Sequence, residues 1–565
     1  MTASRPKGAL TLPECLTLLL FFSSGAAALV YEVAWTRELT NVFGGSAFAI
    51  ATVLAAFMAG LALGSRVLGA AIDKKGHPLR VYALLELGIV AAAVLLPVIF
   101  RGLDAVYVAA HRQAAVDGPA LDLLRFALSF LALLLPTTLM GGTLPVLGKL
   151  LLANPENLGA RAGLLYGANT LGAVAGVAGG GFFLLPALGI QGATAVAMAI
   201  NVLVALLAFV LARSLRIELP QPTTASATSA NPFPVRVRRA AVLVYAASGF
   251  AALAYEVAWS KTLSMVLGTT TYAFTAMLTT FLLGLAIGSA LFARLADRTP
   301  RPDLWLCVVQ LGIPLTALAG VPLLGELPAL FVAGFPSASG SWFGLELYRV
   351  ALAGLVMILP TLLMGGTFPL VSRVVLDGRE TGKRLGTLYA FNTVGAILGS
   401  FIAGFVLIPV VGRQATLLAA SSVNLAAVFA FLAVISWRHT PMRWRVASAT
   451  TLFAALVAFS VARTPWDARH MASGAYLYAP QYARAGSIDA VLAGDRLSYY
   501  DEAPEGTVSV WRRGYKSILR INGKVDASSH GDMITQKLLG HLPALYPPNP
   551  REGLVIGLGS GVSPG

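Results

Sequence analysis

Tyr31-Glu32-Val33-Ala34-Trp35 returns letter for letter as Tyr255-Glu256-Val257-Ala258-Trp259, 224 residues later. The flanking sequence stays in register at the same offset: Gly25 matches Gly249, Gly60 matches Gly284, Gly64-Ser65 matches Gly288-Ser289, Asp73 matches Asp297, and Pro136 matches Pro360. Met140-Gly141-Gly142-Thr143 with Pro145 recurs as Met364-Gly365-Gly366-Thr367 with Pro369. One deletion then moves the offset to 223, at which Tyr166/Tyr389, Asn169/Asn392, Gly172/Gly395, Pro186/Pro409 and Gln191/Gln414 still pair. A register held over this length marks an internal duplication, and the fold is read as two copies of one unit.

Hydrophobic residues make up 57% of the chain and charged residues 12%, and the mean hydropathy is +0.75. That composition excludes an ordinary soluble domain and predicts a mainly α, polytopic membrane protein. Each copy holds about six apolar runs long enough to cross the hydrocarbon as helices; in the first they lie near 12–31, 46–68, 79–100, 122–148, 160–185 and 192–213. An even number of spans leaves both copies in one orientation, so the repeat is parallel. The net charge of +15 could suggest nucleic acid as a partner, but its placement points to lipid instead. Lys and Arg gather in alternate loops, at Arg5, Lys7, Arg66, Lys74, Lys75 and Arg80 and onward to Arg438, Arg443 and Arg445, while Arg37, Lys261 and Arg413 are among the few at the other side. The positive-inside rule then predicts a cytoplasmic N-terminus. Cys15 and Cys307 sit in apolar runs of different copies and form no disulfide framework. The first span reads as retained, since Glu32 and the repeat motif stand where a cleavage site would lie.

The organisation expected is membrane repeat 1 at 1–213, a linker at 214–239, membrane repeat 2 at 240–436, a basic loop with a candidate thirteenth span at 437–463, a soluble β-domain at 464–550, and the start of a Rossmann-like unit at 551–565. The linker is rich in Pro, Ser, Thr and Ala and closes on Arg236, Arg238 and Arg239. The run 447–462 is shorter than the usual spanning length, which leaves the side of the C-terminal domain open. Thr507-Val508-Ser509-Val510-Trp511 and Ser517-Ile518-Leu519-Arg520-Ile521 alternate as strands do. Gly553-Leu554-Val555-Ile556-Gly557-Leu558-Gly559-Ser560-Gly561 reads as a buried strand entering a glycine turn, the opening of a nucleotide-type α/β unit. The sequence stops at Gly565, where the first helix of that unit is expected, so a truncated domain is inferred and no complete cofactor site is expected within it.

The stretch from Ile521-Asn522-Gly523-Lys524-Val525-Asp526 through Gly531-Asp532-Met533 and Gly540-His541-Leu542-Pro543 to the glycine turn resembles the polyamine aminopropyltransferase (spermidine synthase) family. With the membrane repeats, the whole chain resembles bacterial proteins that fuse a major facilitator-like membrane part to a spermidine synthase-like domain. The resemblance implies a bacterial inner membrane location, an S-adenosylmethionine-type co-substrate or its decarboxylated form near Gly557, Gly559 and Gly561, and alkyl transfer to an amine by the full-length protein, with the catalytic base beyond Gly565. The chain departs from that pattern where amine recognition is expected: Gly531, Asp532, Thr535, Gln536 and Lys537 replace Asp, Glu, Tyr, His and Glu, and Asp526 stands at a Gln position. Lys537 repels a cation that a Glu would attract, leaving Asp526 and Asp532 as candidate substrate-binding groups.

Gly69-Ala70-Ala71-Ile72-Asp73-Lys74-Lys75-Gly76, followed by Arg80, resembles the loop motif of the major facilitator superfamily between the second and third spans, and copy two keeps Asp297-Arg298 and Arg301. The resemblance implies that Asp73 and Asp297 latch the cytoplasmic gate. Gly60/Gly64 and Gly284/Gly288 read as close-packing positions. Glu32 and Glu256 are ionisable residues within spans, and two roles stay open for them: anchoring near the outer end of the helix beside Tyr and Trp, or binding a ligand or proton. Glu86, matched by Gln310, reads as a hydrogen-bonded group inside the bundle, and Asn169 and Asn392 as bridges between helices. No zinc-ligand spacing, phosphate loop or catalytic Ser/His set stands out among the six His residues. Three functions are therefore expected in order: a membrane-integral aminopropyltransferase-like enzyme, a transporter of a polyamine or other small metabolite with a sensing or non-catalytic C-terminal domain, and a methyltransferase-like domain acting on a different acceptor.

Overall fold

Hydrocarbon offers the backbone no hydrogen-bond partner, so an apolar run satisfies itself as helix. Copy one does so with α1 (Leu12–Phe43), α2 (Ala47–Lys74), α3 (Pro78–Ala114), α4 (Pro119–Leu151), α5 (Leu158–Gly179) and α6 (Leu185–Ser214). Copy two repeats the order with α7 (Val235–Leu267), α8 (Thr271–Arg298), α9 (Pro302–Ala338), α10 (Trp342–Val375), α11 (Thr381–Ile402) and α12 (Ile408–Val434). The structure, a computed structural model, describes residues 10–43, 47–74, 76–114, 119–152, 157–214, 233–377, 380–435, 442–503, 506–546, 551–552 and 562.

Among the described residues, ten helical stretches are long and apolar enough to cross a membrane, and two of them, 57 and 54 residues long, are each a pair of spans. Short π-helical segments, Gly180–Leu184 and Ala403–Leu407, follow α5 and α11, and the backbone leaves helical geometry at Gly189 (φ 67°) and Gly412 (φ 82°). These positive φ values favour glycine, which has no Cβ to clash. The chain turns back there: Gly172 of α5 lies against Phe22 of α1, while Asn201 of α6 and Ser24 of α1 both bond Glu86. Residues 172 and 201 thus share one level of the bundle. Most helices outrun the apolar stretches that announce them. α1 and α7 each continue 11 residues beyond Glu32 and Glu256, so those carboxylates sit about 16 Å from the helix ends rather than close to them.

Glycines set the packing inside each copy. A Cβ at Gly60 or Gly64 would collide with Thr137 and Thr138 of α4, and one at Gly284 or Gly288 with Thr361 and Leu362 of α10. The expected linker ends earlier than its arginines suggest, because α7 begins at Val235 and takes Arg236, Arg238 and Arg239 into its first turns. Helix formation there is favoured by Pro234 at the N-cap and by the Arg238–Asp377 ion pair (3.6 Å).

A further helix, α13 (Met442–Ala462), lies along α9. At one end Trp444 meets Trp305, near the start of α9, with ring centroids 5.3 Å apart. At the other, Trp466 donates to the Val321 carbonyl (2.8 Å), and Gln414 Nε2 donates to the carbonyls of Ala462 (2.7 Å) and Thr464 (2.6 Å). Its 21 residues therefore run parallel to α9 for about 30 Å, the thickness of the hydrocarbon. The apolar part of α13, Ala449–Ala462, is shorter than the spanning helices, and Met442 and Trp444 lengthen the helix so that it reaches from the start of α9 to Val321 and Gln414.

There the chain forms α14 (Ala468–Met471), α15 (Ala475–Ala485) and α16 (Ile488–Leu492), then an antiparallel meander of β1 (Arg496–Glu502), β2 (Thr507–Arg513), β3 (Lys516–Ile521) and β4 (Lys524–Ser528), and α17 (Met533–Leu545). The two alternating stretches read as strands are β2 and β3; the three helices before the sheet replace an all-β start. Asn522-Gly523, both at positive φ, makes the β3–β4 turn that right-twisted hairpins prefer. Trp511 is fully buried beneath the sheet, under Arg520 (4.8 Å from the ring centroid). The glycine turn lies outside the described residues.

Besides the packing of α15 on α9, a buried ion-pair clamp docks the domain on copy two. Glu502 of β1 accepts from the Arg413 backbone N–H (2.8 Å), Arg413 Nη2 (2.7 Å) and the Tyr500 hydroxyl (2.8 Å). Burial pushes the Glu502 carboxyl up, but the Arg413 charge and these bonds outweigh it and hold the group below its ordinary range. A depressed folded pKa means that the clamp contributes fully above the ordinary value of about 4.3 and is lost as pH falls through the lower folded value. We expect Arg413→Ala to weaken docking by about 2 kcal/mol and to abolish that acid-side dependence. Hydrogen exchange of β1 would rise in the variant; unchanged exchange at neutral pH would show that the clamp holds nothing.

Candidate functional site

The two copies meet along paired seams, α2 against α11 and α8 against α5. Every helix start leaves backbone N–H groups unsatisfied, and a residue just before the helix normally supplies an acceptor. At α5 and α11 the local residues, Asn157 and Glu380, make no side-chain cap. The other copy does it for them. Asp73, at the end of α2, accepts from the N–H groups of Gly382 (3.1 Å) and Lys383 (2.7 Å) in the first turn of α11. Asp297, at the end of α8, accepts from Gly159 (2.9 Å) and Ala160 (2.6 Å) in the first turn of α5. The positive end of each helix dipole favours the carboxylate.

The backbones come close enough for this because the seams are lined by small residues. A Cβ at Gly386 would strike the Ser65 carbonyl, and one at Gly163 would come within 2.7 Å of the Ala293 Cβ. Ser65 donates to the Gly386 carbonyl (3.2 Å), and its repeat mate Ser289 donates to the Gly163 carbonyl (2.8 Å). The seams differ in their cations: Arg373 reaches Asp297 (3.4 Å), whereas its counterpart Lys149 bonds the Ile72 carbonyl.

Deeper in the bundle, the repeat mates Glu32 and Glu256 lie mid-helix on α1 and α7. Tyr166 on α5 and Tyr245 on α7 both pack against Phe368 of α10, with ring centroids 4.7 and 6.1 Å away. The side chains of Glu32 on α1 and Glu256 on α7 are both half-buried. Neither makes a side-chain hydrogen bond or ion pair among the described residues. The neighbouring Tyr31, Trp35, Tyr255 and Trp259 turn the other way, stacked in pairs and fully buried within their own copies.

Fully buried in copy one, Glu86 accepts from Ser24 (2.6 Å) and Asn201 (2.5 Å), and Gln310 makes the matching bond to Ser248 (2.9 Å) in copy two. Asn392 ties α11 to α7 through the Tyr245 carbonyl (2.8 Å). In the C-terminal domain, Asp532 is occupied by Ser528 and Gln536, and the exposed Asp526 pairs with Lys524 (3.2 Å). Both aspartates make local contacts within the domain. Gly557, Gly559 and Gly561 lie outside the described residues, and no adenosyl-ligand step is derived. Sequence reasoning did not foresee Tyr245, Phe368 or Ser65 at the inter-copy surface; the exact pairing of Tyr166 with Tyr389 and of Ser65 with Ser289 was the available signal.

We expect Asp73→Ala and Asp297→Ala each to weaken closure of this end by about 1–2 kcal/mol, the worth of a helix cap with its dipole interaction. Cross-linking of cysteines placed across α2 and α11 would report it, and unchanged cross-linking in the double variant would contradict the capping role.

No protein-family model matches the chain, and no curated protein matches it. Solved structures do. The major facilitator superfamily transporter FucP, in its outward conformation, is similar with a TM-score of 0.50 and 17% identity over 74% of this chain and 97% of that one. A bacterial homologue of the iron transporter ferroportin, outward-facing with soaked iron, gives a TM-score of 0.51 and 18% identity over 76% of this chain and 100% of that one. The membrane part of the chain thus has the major facilitator transporter fold, a polytopic helical architecture followed here by a small four-stranded antiparallel sheet.

Proposed function

We propose that the chain is a major facilitator-type transporter of a small molecule, working by alternating access between its two copies. The observation that carries this reading is the reciprocal capping by Asp73 and Asp297. Each bond joins one copy to the other, none is covalent, and each can be exchanged for water when the copies part. A seam of small residues held by helix-end charges is a two-state element, closed or solvated, of the kind that gating needs. In this reading the latched end, which carries the basic loops, faces the cytoplasm, and the copies are closed there. The bilayer and a small-molecule cargo are the partners.

The course of α13 favours transport over the transferase reading. With the basic end in the cytoplasm, α13 delivers the C-terminal domain to the far side, away from a cytoplasmic adenosyl donor. Among the described residues the domain's side-chain bonds to the membrane part go to copy two, at Arg413, Gln414 and Val321, so it rides with that copy when the halves rock. Its role in this reading is to cap or sense at the outer face.

Two measurements test the proposal. A membrane-impermeant thiol reagent should label Tyr515→Cys, which is 78% exposed in the β2–β3 turn, from outside intact cells in a Cys15→Ser background. Labelling only after permeabilisation would return the transferase reading to first place. Purified full-length protein in proteoliposomes should exchange a small-molecule cargo, and Gly386→Leu, which blocks seam closure, should cut exchange by about tenfold or more.

A further inference from the structure

We propose that Glu86 is a proton-binding site built into copy one, holding its proton while the basic end is latched and giving it up as the copies part. The inference rests on the transporter reading and adds a proton to its cycle.

A carboxyl inside a bundle stays ionised only where a cation or several donors replace the water it has lost. Glu86 on α3 is fully buried, and it forms no ion pair among the described residues. Its partners are two neutral groups on two other helices, Ser24 of α1 (2.6 Å) and Asn201 of α6 (2.5 Å). The cations of the surrounding helices stand elsewhere. Arg80 lies six residues away along α3, about 9 Å along the axis. Arg37 on α1 and Arg213 on α6 are twelve or more residues from Ser24 and Asn201, and Lys149 of α4 bonds the Ile72 carbonyl. The titratable side chains closer by are phenols: Tyr82, which donates to the Leu20 carbonyl (3.2 Å), and the fully buried Tyr31, two turns from Ser24 along α1.

Asn201 can serve both forms of the acid, which is what exchange of a proton requires. Its amide N–H donates to a carboxylate. Its side-chain oxygen, on a residue only 2% exposed, has no hydrogen-bond partner, and once the amide turns it accepts from a carboxyl O–H. At 2.5 Å the second use is the better fit, being ordinary for O–H···O and short for N–H···O. A metal cation does not fit, because oxygens that share one stand about 3 Å or more apart. The duplication adds an internal comparison. Gln310 occupies the matching place in copy two, where its amide, neutral at every pH, bonds Ser248 (2.9 Å). The box accepts a neutral group in both copies, and only copy one has a proton to lose.

Movement reaches the box through α1. Ser24 precedes Gly25, where a Cβ would strike the Asn169 carbonyl of α5, and α5 begins at the turn that Asp297 of copy two caps. A shift of α5 on losing that cap bears on Ser24, and an ionised Glu86 needs the water that only a loosened contact admits.

The test uses the purified full-length protein in nanodiscs. Infrared difference spectra at neutral pH should show the carbonyl stretch of a protonated carboxyl group that Glu86→Gln removes. In the unaltered protein that band should fade in alkaline buffer as a carboxylate band grows. Spin labels at Lys74→Cys and Lys383→Cys, in a Cys15→Ser background, report the opening of the basic end. Because the latched form carries the extra proton, the ratio of open to latched molecules should rise with pH, by up to about tenfold per pH unit for one proton, and Glu86→Gln should flatten that slope. Gln310 shows that the box tolerates an amide, and the band of the unaltered protein is read even where the variant folds poorly. No such band at neutral pH, a band that does not fade, an unchanged slope in Glu86→Gln, or sodium replacing the proton in driving the change would each overturn the inference. Labels that stay together at every pH and with Asp73→Ala would remove the transporter reading instead, and the band would still decide the proton site.

Discussion

Two helices of this protein begin without an acceptor of their own, and each borrows one from the other half of the molecule. Asp73 completes α11 and Asp297 completes α5, so the ends of the two copies are stable together and incomplete apart. Everything else at that end follows from the need to bring a carboxylate within hydrogen-bonding distance of a foreign backbone. Gly159, Gly163, Gly382 and Gly386 keep the helices thin, and Ser65 and Ser289 stitch the next turn. The arrangement is strong when closed, since charge-assisted bonds and helix dipoles add. It is also reversible, since water can serve every group when the seam opens.

Duplication explains why the two seams look alike, and divergence shows where the copies took different work. Glu86 and Gln310 keep one bond to the preceding serine, though only Glu86 can ionise. Arg413 stands where copy one has Ile190, and this single change gives copy two the cation that receives Glu502 and the C-terminal domain. At the matching position copy one offers the domain no charge, because Ile190 is apolar.

Much of this was legible in the sequence because the repeat supplies its own alignment. The Tyr-Glu-Val-Ala-Trp tract and its offset fixed the twelve-helix plan, the paired glycines marked the close contacts, and the loop motif pointed to Asp73 and Asp297. What those aspartates touch was not legible: their partners lie 309 and 138 residues away along the chain, and the contact exists only after the copies dock. Helix lengths were underread for a related reason. Apolar runs mark the hydrocarbon, whereas α1 and α7 continue through Thr, Arg, Lys and Ser held by neighbouring helices, which moves Glu32 and Glu256 from the rim to the interior. The direction of α13 rested on residues too polar to count as a span, among them Trp444, and on Gln414, whose amide holds the far end. The glycine turn near the C-terminus remains a resemblance in sequence, outside the described residues.

The central claim is that the basic end opens and closes as the two copies move. Spin labels at Lys74→Cys on α2 and Lys383→Cys on α11, with the distance distribution recorded in nanodiscs with and without Asp73→Ala, test it most directly. Both side chains stand free of the capping bonds, which Lys383 makes through its backbone N–H. The account predicts a short distance for the latched state and a second, longer population whose weight rises on adding Asp73→Ala. One unchanging short distance under all these conditions would mean that the halves are fixed, and would contradict alternating access in this protein.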